Sequence, residues 1–324
     1  MASFPVSERS SCLRGLRSGW TIVELLVVIG ILAILTAITL PAVMVVRERA
    51  RFADCQNNMR QVGLAMQGHE GAHGNFVEQV GTDCRARNFK SSGPLAEWLP
   101  WLDRRDLYDA IPTCGFGPRL HSSEVDSIVP VFLCPSDALG SGTNVRLNSG
   151  STCDFTPWES SQWGLKPYNG VFCGYGIVKA SDITDGLSYT VGASEKLRAI
   201  SKEPFDPRMH SWDVGVAMDG VALFRVCANP PDRPRQYWNW GGTNWWTNYP
   251  QNLYYNHVAP PNWPGSDCEA HIGNFGIWRA TSQHWGGVNT LRMDGSVHFA
   301  TDSVDLELWH SLATRAGDET VAGL

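Results

Sequence analysis

Gly19-Trp20-Thr21-Ile22-Val23-Glu24-Leu25-Leu26-Val27-Val28-Ile29-Gly30 opens an apolar run that continues to Val46. From Trp20 to Val46 the chain carries one charged residue, Glu24. About 20 apolar residues suffice to cross a bilayer as a helix, so this run predicts a membrane span. The preceding segment holds Arg9, Arg14 and Arg17 against Glu8. That positive flank predicts a cytoplasmic N-terminal side, which puts everything after Arg47 outside. The run is too long for an ordinary secretory signal, and no small-residue cleavage site follows it. A plain anchor has no use for a carboxylate near its start. A lone charge costs ~2.5–3.5 kcal/mol at mid-bilayer on insertion scales, which makes Glu24 a functional candidate.

The segment from Gly19 to Gly30 resembles the type IV prepilin cleavage and methylation motif. The resemblance implies that a prepilin peptidase cuts after Gly19 and that the new N-terminal residue, Trp20, is methylated. Glu24 then falls at mature position five and Pro41 at mature position 22, where pilins commonly carry a helix-bending proline. Tryptophan at the first mature position departs from the usual phenylalanine. A buried carboxylate is costly unless paired. The resemblance supplies a partner for Glu24: the freed amine of a neighbouring subunit. Pro41 removes one helical donor, so a kink is expected there.

Beyond the membrane the helix is expected to continue. Phe52, Cys55, Met59, Val62 and Met66 are spaced 3, 4, 3 and 4, an amphipathic stripe. Gly68, Gly71 and Gly74 are read as its end. The division that follows is leader 1–19, transmembrane helix 20–46, amphipathic helix 47–75 and an extracytoplasmic head over 76–324.

The head reads as antiparallel β with long loops, which gives an α+β, pilin-like fold class. Val214 to Cys227 reads as a hairpin turning at Asp219-Gly220. Val288–Met293 and Ser296–Thr301 flank Asp294-Gly295, a two-residue hairpin signal that makes Asp294 a type I′ turn residue. Ser303 to Ala316 reads as a closing helix, with Ser303 as N-cap and Gly317 as C-cap.

Composition narrows the function. The formal net charge of -6 leaves no basic footprint for nucleic acid. Nine cysteines are scattered with no CxxC pair, which argues against a zinc ribbon and for an oxidising compartment. Cys12 sits in the leader; the remaining eight allow 105 full pairings. No nucleophile elbow, phosphate loop or dinucleotide fingerprint is present, so no catalytic residue, metal or cofactor is expected. His69-Glu70-Gly71-Ala72-His73 matches the zincin pattern H-E-x-x-H. Its three nearby glycines instead suggest a helix-end turn with exposed histidines.

A second resemblance covers most of the chain. Cys55-Gln-Asn-Asn-Met-Arg-Gln-Val-Gly-Leu-Ala, Phe132-Leu-Cys134-Pro-Ser-Asp137, and Ile183-Thr-Asp185-Gly186 through Glu195 are similar to a large bacterial family of unknown function. So are His284, nine residues, then Asp294-Gly295, and the closing Leu312-Ala-Thr-Arg-Ala-Gly317. That family has also been grouped as a tenth solute-binding family. Cys55 and Cys134 both fall in its motifs, and pairing them would tie the spine helix to the sheet. His284 and Asp294 invite a catalytic or metal reading; a strand-start hydrogen bond and a turn explain them more simply. Asp182 and Asp185 could ligate calcium, but EF-hand spacing is absent.

Trp238, Trp240, Trp245 and Trp246 lie among Asn239, Asn244, Asn248 and Asn252, a pattern that suits glycan stacking or a loop anchored by its own aromatics. The expected function is a pilin or pseudopilin-like subunit, handled by a prepilin peptidase and methyltransferase and assembled with other pilin-like subunits at the inner membrane. The alternative is a membrane-tethered receptor for a solute or glycan.

Overall fold

Thr21 opens the first helix with a capping box. Its hydroxyl accepts from the Glu24 N–H at 3.2 Å, and the Glu24 carboxylate accepts from the Thr21 N–H and hydroxyl at 2.9 Å. These contacts satisfy donors that a first helical turn leaves open. Helix α1 then runs Ile22–His73 in the computed structural model. The structure describes residues 21–79, 92–111, 127–137, 140–153, 169–172, 176–199, 204–215, 220–232, 234, 236–238, 241–247, 250–270 and 275–317. Gly19 and Trp20, the predicted processing site, lie outside the described residues, as does Trp240.

The chain divides into two units, Met1–Arg49 and Ala50–Leu324. In the first, the apolar side chains from Ile22 to Val46 are exposed. The helix reaches a mean hydropathy of 2.7 over 18 residues, which is long and apolar enough to cross a membrane. Thr36 and Thr39 turn their hydroxyls back onto the carbonyls of Leu32 and Leu35, each at 2.9 Å, so neither needs water. Pro41 sits inside the helix.

In the second unit, α1 buries the predicted stripe from Cys55 onward, while Phe52 at its start is half-buried. Cys55, Met59, Val62 and Met66 are buried, joined by Ala65 and His69. Met59, Val62, Ala65 and Met66 pack into a core with Phe76, Trp98, Leu147, Ala193, Val288, Leu291 and Met293. This core lies on a five-stranded sheet. Its members are β2 (Val145–Asn148), β4 (Val191–Glu195), β7 (Tyr254–Tyr255), β10 (Gly287–Arg292) and β11 (Val297–Thr301), ordered β11-β10-β4-β2-β7. All neighbours are antiparallel except β2 with β7. Gly63 permits the close approach: a Cβ there would meet the Gly295 Cα at 3.1 Å and Leu291 Cδ1 at 2.7 Å. Two further strands, β1 (Val77–Gln79) and β3 (Gly176–Val178), pair antiparallel.

A second sheet, β6-β5-β8-β9, is built from β5 (Ser211–Asp213), β6 (Tyr237–Trp238), β8 (Asp267–Ala270) and β9 (Phe275–Ile277). It has its own small core around Trp212, Leu223, Cys227, Cys268 and Ile277. Cys227 and Cys268 form a disulfide. Between the sheets lies buried charge. Lys196 pairs with Asp267, and its ammonium also donates to the Arg279 carbonyl at 2.9 Å. Burial lowers the Lys196 pKa to about 8 against the pull of Asp267.

Three local expectations are corrected. The segment read as a hairpin over 214–227 contains a helix, Gly220–Cys227, which buries Leu223 and Cys227 one turn apart. Packing of that face overrides the Asp-Gly turn signal. The β10–β11 loop has three residues, not two. Gly295 N–H bonds the Arg292 carbonyl at 3.0 Å, and Arg292 N–H bonds the Ser296 carbonyl at 2.8 Å. Gly295 alone takes the left-handed conformation, with φ +87°, so the turn is type I with a glycine bulge and Asp294 is not a type I′ residue. The closing helix is shorter, Leu306–Ser311, and Asp305 caps it by accepting from Glu307 and Leu308 N–H at 3.0 Å, not Ser303.

Candidate functional site

Four side chains from distant motifs meet where α1 crosses the five-stranded sheet. Cys55 comes from the helix. Cys134 follows a 3-10 turn at Pro130–Phe132, and its N–H donates to Asn144 Oδ1 at 3.0 Å. The two cysteines form a disulfide with Cα atoms 4.8 Å apart. Glu195 ends β4, and His284 precedes β10, where its N–H donates to Ser282 Oγ at 3.0 Å. His284 Nε2 lies 3.3 Å from Glu195 Oε1 and 3.4 Å from Cys134 Sγ. All four residues are buried.

Glu195 is held from a second direction. Asn289 donates its N–H to Oε2 at 2.9 Å and its side-chain amide to Oε1 at 3.0 Å. Gln56, beside Cys55 on α1, donates to Asn289 Oδ1 at 3.1 Å. Phe52 stands edge-on to the His284 ring at 4.9 Å, and to Phe299 at 5.4 Å. A carboxylate facing Nε2 requires that this nitrogen carry the proton. Among the described residues this is the only group of three or more His, Cys, Asp or Glu side chains whose ligand atoms converge, all within 4.8 Å. Reading the sequence missed Glu195 and Asn289 as members. The signal for Glu195 was its place at the end of a family motif.

The other motif residues have structural posts. Asp294 lies at the far end of β10 from His284, accepting from Ser296 N–H at 2.9 Å and its hydroxyl at 2.6 Å. Asp185 accepts from Gly317 N–H at 2.8 Å and from the Thr314 hydroxyl at 2.8 Å, which fastens the closing motif to the Ile183–Gly186 turn. Asp182 accepts from the Lys179 N–H at 2.9 Å. Asp137 pairs with Arg198, both buried, and takes the Asn144 amide at 2.6 Å.

The H-E-x-x-H segment is helical through His73, and Gly74 (φ +71°) ends α1. The expectation of two exposed histidines fails at His69, which is buried. Its ring stacks on His73 at 4.4 Å, and Trp101, brought from another segment, stands against both. The Nδ1 atoms face carbonyls, Asn75 for His69 (2.9 Å) and His69 for His73 (3.2 Å). A cleft of about 610 Å³ opens here, lined among others by Glu97, Trp101, Arg105 and Tyr108.

Trp245 and Trp246 are buried and Trp238 half-buried on β6. Trp245 Nε1 donates to the Ser127 carbonyl at 3.0 Å. The faces of Trp245 and Trp246, packed into the core, are closed to a sugar.

A family model, SBP_bac_10, described as a protein of unknown function (DUF1559), matches residues 44–307, most of the chain. No curated protein and no solved structure matches it.

Proposed function

The chain belongs to this family of unknown function, and from that footing we propose that it is a pilin-like subunit that acts by assembly rather than by turnover. One observation carries the reading. A single helix presents an exposed apolar half over Ile22–Val46 and a half built into the head core from Cys55 to His69. Exposed apolar surface of that extent needs cover, from lipid or from the same half of other copies. In this reading a prepilin peptidase cuts after Gly19, Trp20 is methylated, and the head is carried outside the inner membrane. Glu24 closes the Thr21 capping box within its own helix and offers its remaining acceptor capacity to a neighbouring subunit's amine.

The test is the intact mass and N-terminal sequence of the protein extracted from its native membrane. A chain that begins at N-methyl-Trp20 supports the proposal. One that retains residues 1–19, or is cut well after Val46, overturns it.

The cleft beside His69, His73 and Trp101 favours a second reading, a tethered receptor for a small solute. That receptor would keep its anchor without assembling, so crosslinking of intact membranes separates the two: ladders of the full chain for a subunit, monomers for a receptor.

A further inference from the structure

We propose that Cys55, Cys134, Glu195 and His284 form a thiol-gated site for a zinc-class divalent cation, of which the disulfide is the metal-free form. Two thiolates, one imidazole and one carboxylate make a donor set that suits zinc. Zn–N and Zn–O bonds of about 2.0–2.2 Å and Zn–S bonds of about 2.3 Å give tetrahedral edges of roughly 3.3–3.8 Å. Two edges already have that length: His284 Nε2 to Glu195 Oε1 at 3.3 Å and to Cys134 Sγ at 3.4 Å. The four donors lie within 4.8 Å of one another and are buried, so breaking the S–S bond lets the sulfurs part without the backbone having to travel far. Asn289 supports the carboxylate from behind, as outer partners of metal ligands do.

The chemistry balances. A dithiol delivers two electrons and two protons to the Cys55–Cys134 bond and leaves as its own disulfide. The cation then displaces the two thiol protons to solvent. The His284 proton moves from Nε2 to Nδ1, which frees the Nε2 lone pair for the metal. A small-molecule or protein disulfide reverses the step by exchange: it accepts the two electrons, takes up two protons and leaves as its dithiol, while the Cys55–Cys134 bond re-forms and the cation is expelled. An extracytoplasmic oxidising compartment favours the disulfide; a reducing one favours the metal.

The experiment uses the full chain in detergent, reduced with a phosphine and desalted without oxygen. Co²⁺ and Zn²⁺ are the probes. The expected result is one cation per chain, tetrahedral Co²⁺ bands with thiolate charge transfer, and an X-ray absorption shell of two sulfurs and two nitrogen or oxygen atoms. His284→Ala and Glu195→Gln should each weaken the metal by at least ~10-fold. Cys55→Ser with Cys134→Ser should abolish that shell. Because the chain holds nine cysteines, an all-sulfur shell places the metal elsewhere and overturns the proposal. Unchanged affinity in His284→Ala also overturns it. Circular dichroism covers reduction that unfolds the head: refolding on cation addition supports the site, and no refolding and no uptake refutes it.

Discussion

The imidazole of His284 faces the carboxylate of Glu195 at 3.3 Å, in a space closed by Phe52 and by the disulfide from Cys55 to Cys134. Both side chains are only about 3% exposed, so bulk solvent is shut off from the pair. Removing one partner therefore strands the other. Glu195→Ala leaves His284 and the two Asn289 donors without their acceptor, and the expected loss is about 3–5 kcal/mol. His284→Ala should cost less, because Asn289 still serves the carboxylate. The double variant should show a coupling of roughly 0.5–3 kcal/mol by chemical denaturation. Additive losses would dissolve the pair as a unit.

Cys55 and Cys134 close a loop across a separation of 79 residues. The chain-entropy relation assigns such a loop about 4–5 kcal/mol of stabilisation. Cys55→Ser with Cys134→Ser should lower the unfolding free energy by that order and the denaturation midpoint with it. A midpoint unmoved in the double variant would show the covalent tie to be dispensable.

Stability should fall on both sides of a mildly acidic optimum. Burial raises the Glu269 carboxyl to about 7, against the lowering effect of the Gln251 amide. Its contribution is whole below about 4.5 and is lost as pH rises through 7, up to on the order of 3 kcal/mol. Burial drives the His257 ring, stacked on Trp309, down to about 3. Its contribution is whole above about 6.5 and is lost as pH falls towards 3. Glu269→Gln should flatten the alkaline limb only, which denaturation midpoints at pH 5 and pH 8 would read.

Two glycines of α1 should respond oppositely to alanine or valine. Gly63 faces the Gly295 backbone at 3.1 Å from a would-be Cβ, so Gly63→Val should cost at least ~1–3 kcal/mol. Gly71 has nothing within 4 Å, and Gly71→Ala should gain up to ~1 kcal/mol of helix propensity. Thermal midpoints of the two variants check the sign.

The helix and its stripe were legible because a period of 3.6 writes burial directly into sequence. Cys55 and Cys134 were legible through motifs. Glu195 was quoted only as the end of a motif, since its partners, Asn289 on β10 and His284 ahead of that strand, are about 90 residues away in sequence. His69 misled because its burial depends on Trp101, from a segment with no sequence relation to the helix. The stretch before Cys227 misled because Asp219-Gly220 carries turn chemistry, while the packing that favours a helix is supplied by other strands.

The Cys55–Cys134 bond also sets a load path. Were the chain pulled by its N-terminal helix, tension would run along the chain by the shortest covalent route. With the bond intact, that route leaves α1 at Cys55 and enters the head at Cys134, four residues past the start of the Pro130–Phe132 turn. The chain from residue 56 to residue 133, including the helical His69–His73 segment and its cleft, lies off that covalent route. Cutting the bond would place that whole stretch in series with the load.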